Sequence, residues 1–345
     1  MTDTNHPQAG RPLVSVLLPA LNCEPYLAPA IESILAQTYT NWEMIVTDDG
    51  STDATRRIAE GYAAADKRIR VIVNETNIGI AATRNRACPL SSGEYIVMQD
   101  GDDTSLPDRI ERSLAFFDAH PDMVLVGGNW IATDPEGDDC YFVNRLDTDC
   151  DDIRCLLRGG DYLPLHPTWM MRRSAFEAAG GYDSFYSVTE DLDLLVRLAR
   201  LGPIGYLCAP LLRYRGRPGK ASYLRRALQV AQHETIFLRE EAAVQGREID
   251  VHQVLEERLA AAKERLGQTA SPEFHSHFDM GKLYLCTGKR RRAAGEFVRA
   301  IGALPWSAQP YAGLALCALP RGIGRGIMAR RQAERDRTLA FSQRL

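Results

Sequence analysis

The sequence predicts an α/β domain built on a mostly parallel sheet, followed by an all-α C-terminal domain. Three observations carry that expectation. Short apolar runs alternate with amphipathic stretches through the first third of the chain. Polar or acidic turns follow three of those runs directly, and beyond residue 220 strand-like runs vanish while helical periodicity continues. Strand–helix alternation with short connections produces a parallel sheet covered by helices on both faces.

Each element has its own signal. Residues 13–18 are aliphatic and β-branched and are stopped by Pro19, the pattern of a strand buried on both faces. A helix is expected over 25–37, with Leu27, Ala30, Ile31, Ile34 and Leu35 on one face. Residues 43–47 form a second strand, Asp48-Asp49-Gly50-Ser51 a turn, and Thr52 and Asp53 open a helix carrying Ile58 and Ala59. A third strand over 70–73, a helix over 79–87 and a fourth strand over 95–98 follow. Pro107 suits the first position of a helix ending near His120. Residues 123–126 are strand-like, 134–152 read as a loop rich in Asp and Gly, and 189–201 as a helix with Leu192, Leu195, Val196 and Ala199 on one stripe. Ligands of such sheets sit at the carboxyl ends of the strands, so Asn22, Asp48-Asp49 and the run 100–103 share one rim.

The chain has 345 residues, enough for a large domain and a smaller one, and 45% hydrophobic with 25% charged residues excludes a disordered or fibrous chain. With 41 Lys+Arg against 45 Asp+Glu the net charge is −4, which argues against a nucleic-acid partner. No apolar run approaches the ~18–20 residues of a membrane-spanning helix. Residues 1–12 are polar, lack the apolar centre of a secretion signal and read as a flexible tail, which places the protein on the cytoplasmic side. The eight cysteines are scattered without a C-x-x-C pair and read as reduced, mostly buried thiols; Cys150 and Cys155 flank a turn without forming a metal site. The expected division is a catalytic domain over 13–219 and a helical domain with a basic tail over 220–345.

Within that helical region, Met280-Gly281, Tyr284, Gly288, Ala293-Ala294, Phe297, Ala300 and Pro305 have the spacing of a tetratricopeptide helix pair, and Leu314-Ala315 falls one period on. An unrelated helical hairpin is the alternative. The tail carries Arg321, Arg325, Arg330, Arg331, Arg335 and Arg337 with Ile323, Ile327 and Met328 between them. It reads as a solvated helix end or as a weak contact with an anionic surface, a peripheral association with the inner face of the membrane. A single repeat cannot cover its own face, so it would dock on neighbouring helices or a protein partner.

Three clusters carry chemistry. Gln99-Asp100-Gly101-Asp102-Asp103 puts three carboxylates in four positions after an apolar strand, where they repel one another unless a cation neutralises them. Hard oxygen ligands on a turn suit Mg²⁺ or Mn²⁺, and a metal so held binds diphosphates. The same run would also serve as an acidic surface turn capping the next helix. In Asp48-Asp49-Gly50-Ser51-Thr52-Asp53 the last three residues are explained by a helix N-terminus, while Asp48 and Asp49 are free to accept hydrogen bonds from a base or ribose. Ser187 and Glu190 have capping-box spacing, which gives Glu190 a structural reading; Asp191 stands one residue further, where a carboxylate beside substrate can act as a general base.

The ordered series of Val14-Ser15-Val16 with Pro19 and Asn22, Asp48 to Asp53, Asn77-Ile78-Gly79 with Arg84-Asn85, Gly93-Glu94-Tyr95-Ile96 leading to Asp100-Gly101-Asp102-Asp103, and Leu106-Pro107-Asp108-Arg109 resembles the family 2 glycosyltransferases. Gly180-Gly181-Tyr182-Asp183, Glu190-Asp191-Leu192-Asp193-Leu194 with Arg197, and Leu211-Leu212-Arg213-Tyr214-Arg215 extend the resemblance to about residue 217. It implies a GT-A fold with a Rossmann-like sheet and an inverting, metal-dependent transfer of one sugar. The donor would be a nucleotide-diphospho-sugar, and the hydroxyl acceptor a saccharide or lipid-linked precursor of a cell-surface polysaccharide or glycolipid. The resemblance assigns Asp49 to the nucleotide base, with Pro19, Asn22, Asp48 and Gly101 around the donor. Asp100, Asp102 and Asp103 go to ribose and metal, and Asp191 to deprotonating the acceptor. Arg84 lies near the nucleotide or diphosphate on the same grounds.

Direct displacement at an anomeric carbon needs a neutralised leaving diphosphate and one base on the opposite face, which two separate acidic loops supply. Many relatives carry a histidine shortly after the Tyr-Arg segment; here Tyr214-Arg215-Gly216-Arg217 offers Arg215 and Arg217 for the diphosphate instead. The Gln-x-x-Arg-Trp motif of processive synthases is absent, which favours single transfers. His166-Pro167-Thr168 fits an acceptor-cleft wall or a surface turn equally, and Glu190 is a further candidate contact. Two other classes remain as alternatives. A non-catalytic scaffold has no use for the acids, and a nucleotidyltransferase needs a Gly-rich basic loop where Leu18-Pro19-Ala20-Leu21-Asn22 stands.

Overall fold

The computed structural model describes residues 11–146, 148–154, 164–217, 225–266, 272–305 and 307–318. Strands β1 (Val14–Ala20), β2 (Trp42–Asp48), β3 (Ile69–Val73) and β4 (Tyr95–Met98) are parallel, in the order β3-β2-β1-β4. Register runs from Val14↔Trp42 to Ala20↔Asp48 and from Val14↔Tyr95 to Leu17↔Met98, so β1, β2 and β4 finish on one rim. Alternate side chains serve opposite faces. Val14, Val16, Leu18, Met44 and Val46 pack with Ile31 and Ile34 of helix α1 (Leu27–Leu35). Leu17, Ile45, Ile96 and Met98 pack on the other side with Ala81 and Ala87 of α3 (Ile80–Ala87), which follows α2 (Thr55–Ala65). Burial of both faces is why these strands read as unbroken apolar runs.

The sheet continues through β5 (Thr104–Ser105), β6 (Leu125–Thr133), β7 (Asp139–Val143), β8 (Met170–Arg172) and β9 (Ile204–Arg215). Beyond β4 the order is β8-β6-β9-β5, with β7 paired to β6. Here β8 is antiparallel to β4 and β6, and β5 is antiparallel to β9. Helices α4 (Arg109–Ala119), α5 (Arg173–Ala178) and α6 (Glu190–Ala199) complete this part.

Several expectations need correction. The strand expected over 123–126 runs from Leu125 to Thr133, and β7 lies inside the stretch read as a loop. The Asp- and Gly-rich residues there form only the turn between two strands, closed by Asp134 N–H to Asp138 O at 3.0 Å. Cys150, inside the same stretch, forms an isolated bridge with Tyr206. Helix α2 begins at Thr55, not Thr52, because Asp53 accepts the Thr55 amide at 2.9 Å before the helix starts. Of the seven described cysteines only Cys23, Cys88 and Cys286 are buried, fewer than expected.

Two compact units emerge. The first holds residues up to Trp130 with Asn144–Tyr214, and the second holds Ile131–Val143 with the chain from Arg215 onward. The boundary expected at 219/220 therefore leaves out an excursion: the hairpin around β7 belongs with the helices. Its acids contribute to that. Lys289 Nζ lies 2.6 Å from Asp134 Oδ2, 2.6 Å from Glu136 Oε2 and 2.8 Å from Asp138 Oδ2, a cation shared by three carboxylates.

The second unit carries α7 (Arg226–Val244), α8 (Val251–Leu266), α9 (Pro272–Cys286), α10 (Arg290–Ala303) and α11 (Ala308–Ala318). Phe297, 1% exposed, fills the space between the last three. A Cβ added at Gly281 or Gly313 would lie 2.5 or 2.6 Å from its ring, so glycine on the flanking helices lets α9 and α11 close on it. Among the described residues no helix is long and apolar enough to cross a membrane. The basic tail, Cys155 and most of the expected N-terminal tail lie outside the described residues.

Gly50 and Gly61 give opposite expectations. Gly50 has φ +76°, and a Cβ there would sit 2.7 Å from the Thr76 carbonyl carbon; Gly61 lies in the exposed interior of α2 with open space around it. Gly50→Ala should lower stability by about 1–3 kcal/mol or more, whereas Gly61→Ala should raise it by about 0.5–1 kcal/mol. Urea denaturation of both variants checks the sign of each change.

Candidate active site

The site is organised from α3. Gly79 precedes it at φ 88°, ψ 155°, a conformation open essentially to glycine alone. Asp49, at the end of β2, accepts the Ile78 amide at 3.0 Å, the Gly79 amide at 3.2 Å and Asn74 Nδ2 at 2.8 Å. A carboxylate against free amides at a helix N-terminus is a favourable pairing. Asp49 is thus buried and holds the loop entering α3. Asp48, also buried, accepts the Ser51 amide at 3.3 Å. Asn22 stands in the left-handed region at φ 49° and accepts the Thr52 amide at 2.9 Å, so it braces the Asp48–Asp53 turn from the next loop of the rim.

On the opposite side of α3, Arg84 turns inward. Its guanidinium, 5% exposed, donates to Glu190 Oε1 at 2.8 Å and to Asp100 Oδ1 at 3.2 Å, and lies 5.3 Å from the centre of the Tyr182 ring. Asp191 also falls within electrostatic reach of Arg84 and Tyr182. One buried cation thereby brings together the acidic turn, 16 residues further along the chain, and the start of α6, 106 residues further along. The capping-box reading of Glu190 is overturned. No side chain caps α6 at Thr189, and Glu190 is spent on Arg84. Burial, reinforced by the Asp191 charge, pushes the Glu190 carboxyl up to about 7 against the pull of Arg84. Asp191 is half-buried, with Oδ1 accepting the Leu192 amide at 2.8 Å.

In the acidic turn, Asp100, Asp102 and Asp103 present carboxylate oxygens within 4.8 Å of one another, with Asp102 and Asp103 buried and Asp100 half-buried. An all-oxygen set of this kind fits Mg²⁺ or Mn²⁺. Gly101 serves close approach, since a Cβ there would stand 3.3 Å from the Pro19 carbonyl and 3.4 Å from Cys23 Sγ. Pro19 itself is buried at the end of β1, paired with Thr47. Sequence reasoning missed what lies underneath, Gln99 and Arg109, both fully buried. The Leu106-Pro107-Asp108-Arg109 motif was their signal, but a lone arginine at a helix start gives no hint of the direction it faces.

The remaining candidates fall elsewhere. His166-Pro167-Thr168 is neither a surface turn nor an open wall but a buried 3₁₀ turn. His166 Nε2 meets Tyr182 Oη at 2.7 Å, and its ring lies 4.7 Å from that of Trp169. Burial first, then the charges of Arg84 and Arg109, hold it well below its ordinary pKa and so neutral. Arg215 donates to the Pro135 carbonyl at 2.9 Å and belongs to the second unit, as does the half-buried Arg217.

Comparison with known proteins gives this geometry a setting. Residues 15–180 match the model of Glycosyl transferase family 2. EpsE of Bacillus subtilis (strain 168), named as a glycosyltransferase, is 39% identical over 230 residues, 66% of this chain and 81% of its own length. TuaG of the same organism, named for teichuronic acid biosynthesis, is 42% identical over 106 residues, 31% of this chain and 42% of its own. Among solved structures, TarS 1–349 of S. aureus in complex with UDP-GlcNAc aligns with a TM-score of 0.57 at 18% identity, over 88% of this chain and 90% of that one. The mannosyltransferase PcManGT of Pyrobaculum calidifontis, solved with GDP-Man and Mn²⁺, aligns at 0.51 and 17%, over 97% and 87%. At such identities the structural likeness speaks for the fold alone. The sequence likeness to EpsE extends through most of that protein, and the chain accordingly belongs to glycosyltransferase family 2, with the GT-A fold of that family.

Proposed function

We propose that the first unit is the catalytic domain of an inverting, metal-dependent transferase. It would move one sugar from a nucleotide-diphospho-sugar to a hydroxyl of a saccharide or lipid-linked acceptor in cell-surface polysaccharide or glycolipid assembly. The observation that supports the reading is the Arg84 bridge, with Glu190 at 2.8 Å and Asp100 at 3.2 Å, because it joins the turn assigned to the donor to the helix that begins with Glu190 and Asp191. The donors bound by TarS and PcManGT and the polymer in the name of TuaG support the substrate classes.

Asp191 takes the proton of the acceptor hydroxyl as that oxygen bonds to the anomeric carbon. The bond to the diphosphate breaks on the far side, so the configuration inverts. The Leu192 amide, 2.8 Å from Asp191 Oδ1, orients the carboxylate for this step. Asp102 and Asp103 would hold Mg²⁺ or Mn²⁺, which supplies positive charge to the departing diphosphate. Asp48, Asp49 and Asp100 are assigned to base and ribose, with Pro19, Asn22 and Gly101 shaping the rim. Arg84 keeps Glu190 and Asp100 in register.

Asp191→Asn should lower transfer by about 10²–10⁴-fold, the usual worth of a general base, while leaving donor affinity near wild type in calorimetry; near-wild-type turnover would refute the role. Asp103→Ala should weaken Mn²⁺-dependent UDP binding by about 10-fold or more, and unchanged affinity would count against it. Below a pH of about 7 Glu190 carries its proton and its grip on Arg84 loosens; above, the carboxylate forms and the bridge tightens. Transfer should therefore rise with pH through about 7, and Glu190→Gln should flatten that limb at a reduced rate. A profile unchanged in the variant would detach Glu190 from the mechanism.

A further inference from the structure

Beneath the acidic turn lies a polar knot in an apolar interior. Gln99 follows β4 and is fully buried; its Nε2 donates to the Asp100 carbonyl at 3.0 Å and to the Asp103 carbonyl at 2.9 Å. A single amide thus clasps both ends of the four-residue turn, which Asp103 N–H closes onto Asp100 O at 3.2 Å. The orientation of that amide is set from below. Gln99 Oε1 accepts Ser105 Oγ at 2.6 Å and Arg109 Nη1 at 3.2 Å. A flipped amide would point its donors at those donors and turn its oxygen toward the two carbonyls, so only one orientation is satisfied. Arg109 is pinned in turn by Ser105 Oγ at 2.9 Å, the Met98 carbonyl at 2.7 Å and the Trp169 carbonyl at 3.2 Å.

Every one of these acceptors is neutral. A buried guanidinium with neutral neighbours alone is costly, and the negative charges that answer Arg109 are those of Asp103 and Asp100 above it. Burial pulls its pKa down to about 9 against those two acids, which leaves it protonated at neutral pH. The fork does more than a point charge would, since it reaches β4, Ser105, Gln99 and the Trp169 backbone together.

We infer that Gln99 and Arg109 are positioning residues that set the spacing of the Asp100, Asp102 and Asp103 carboxylates from beneath, Arg109 acting through the amide of Gln99. This rests on the assignment of that turn to a divalent cation. Partners of this kind fix ligand orientation without touching the ion.

The test is Mn²⁺ binding to the full chain without nucleotide, read by calorimetry and by the electron paramagnetic resonance spectrum of the bound ion. Variants are Gln99→Leu, Arg109→Lys and their combination, with Ser105→Ala as a milder variant and thermal unfolding as the control for folding. Each single variant should lose affinity by about 10–100-fold and alter the spectrum. The double variant should be no weaker than the worse single one, because the two act in series. Arg109→Lys keeps the charge and loses the fork, so a loss there speaks for geometry. Wild-type affinity and spectrum in folded variants, Ser105→Ala included, would overturn the inference alone. Failure of the wild-type chain to bind Mn²⁺ would overturn the metal assignment and this inference with it.

Discussion

The site depends on one buried guanidinium. Arg84 sits where the acidic turn after β4 and the first turn of α6 approach each other, and it is the positive charge that lets Asp100 and Glu190 share that space. Without it, carboxylates would face one another in a low-dielectric setting, where like charges repel strongly. Its position is in turn imposed by α3, whose start is held by Asp49 and whose next residue, Asn85, exchanges hydrogen bonds of 2.7 and 2.9 Å with the Tyr182 backbone. Three segments distant in sequence are thus registered by one short helix.

The same logic recurs underneath. Three acids in four positions are destabilising by themselves, and the protein meets that charge with Arg84 at the side and Arg109 below. These cations also explain the state of His166. Buried beside Tyr182 and within reach of both arginines, it stays neutral and packs. The surroundings of this histidine penalise its charged form, so a lone histidine in the sequence need not mark a group that titrates near neutral pH.

The second unit uses a comparable device for a different end. Lys289 gathers Asp134, Glu136 and Asp138 and so ties the β6–β7 turn to the α9–α10 connection. The acids of that turn had no explanation while the segment was read as a loop. With a cation at 2.6–2.8 Å they join the contacts that hold residues 131–143 with the helices.

The sequence by itself determined the parallel half of the sheet, the rim on which the acids lie and the helical character of the C-terminal half. These follow from periodicity, Pro and Gly punctuation, and burial on both faces, all local in the chain. It also singled out Asp100, Asp102, Asp103 and Asp191, since acids directly after a strand or at a helix start carry a recognisable cost. Only the tertiary structure decided which partner each polar group found. Glu190 left its capping spacing for Arg84, Asp49 turned to the amides before α3, Arg109 went beneath the turn, and the antiparallel strands β7, β8 and β9 took their places. Most of those outcomes depend on contacts between residues from about 30 to 106 positions apart. A short strand or a lone charge carries no local record of what the rest of the chain will bring against it.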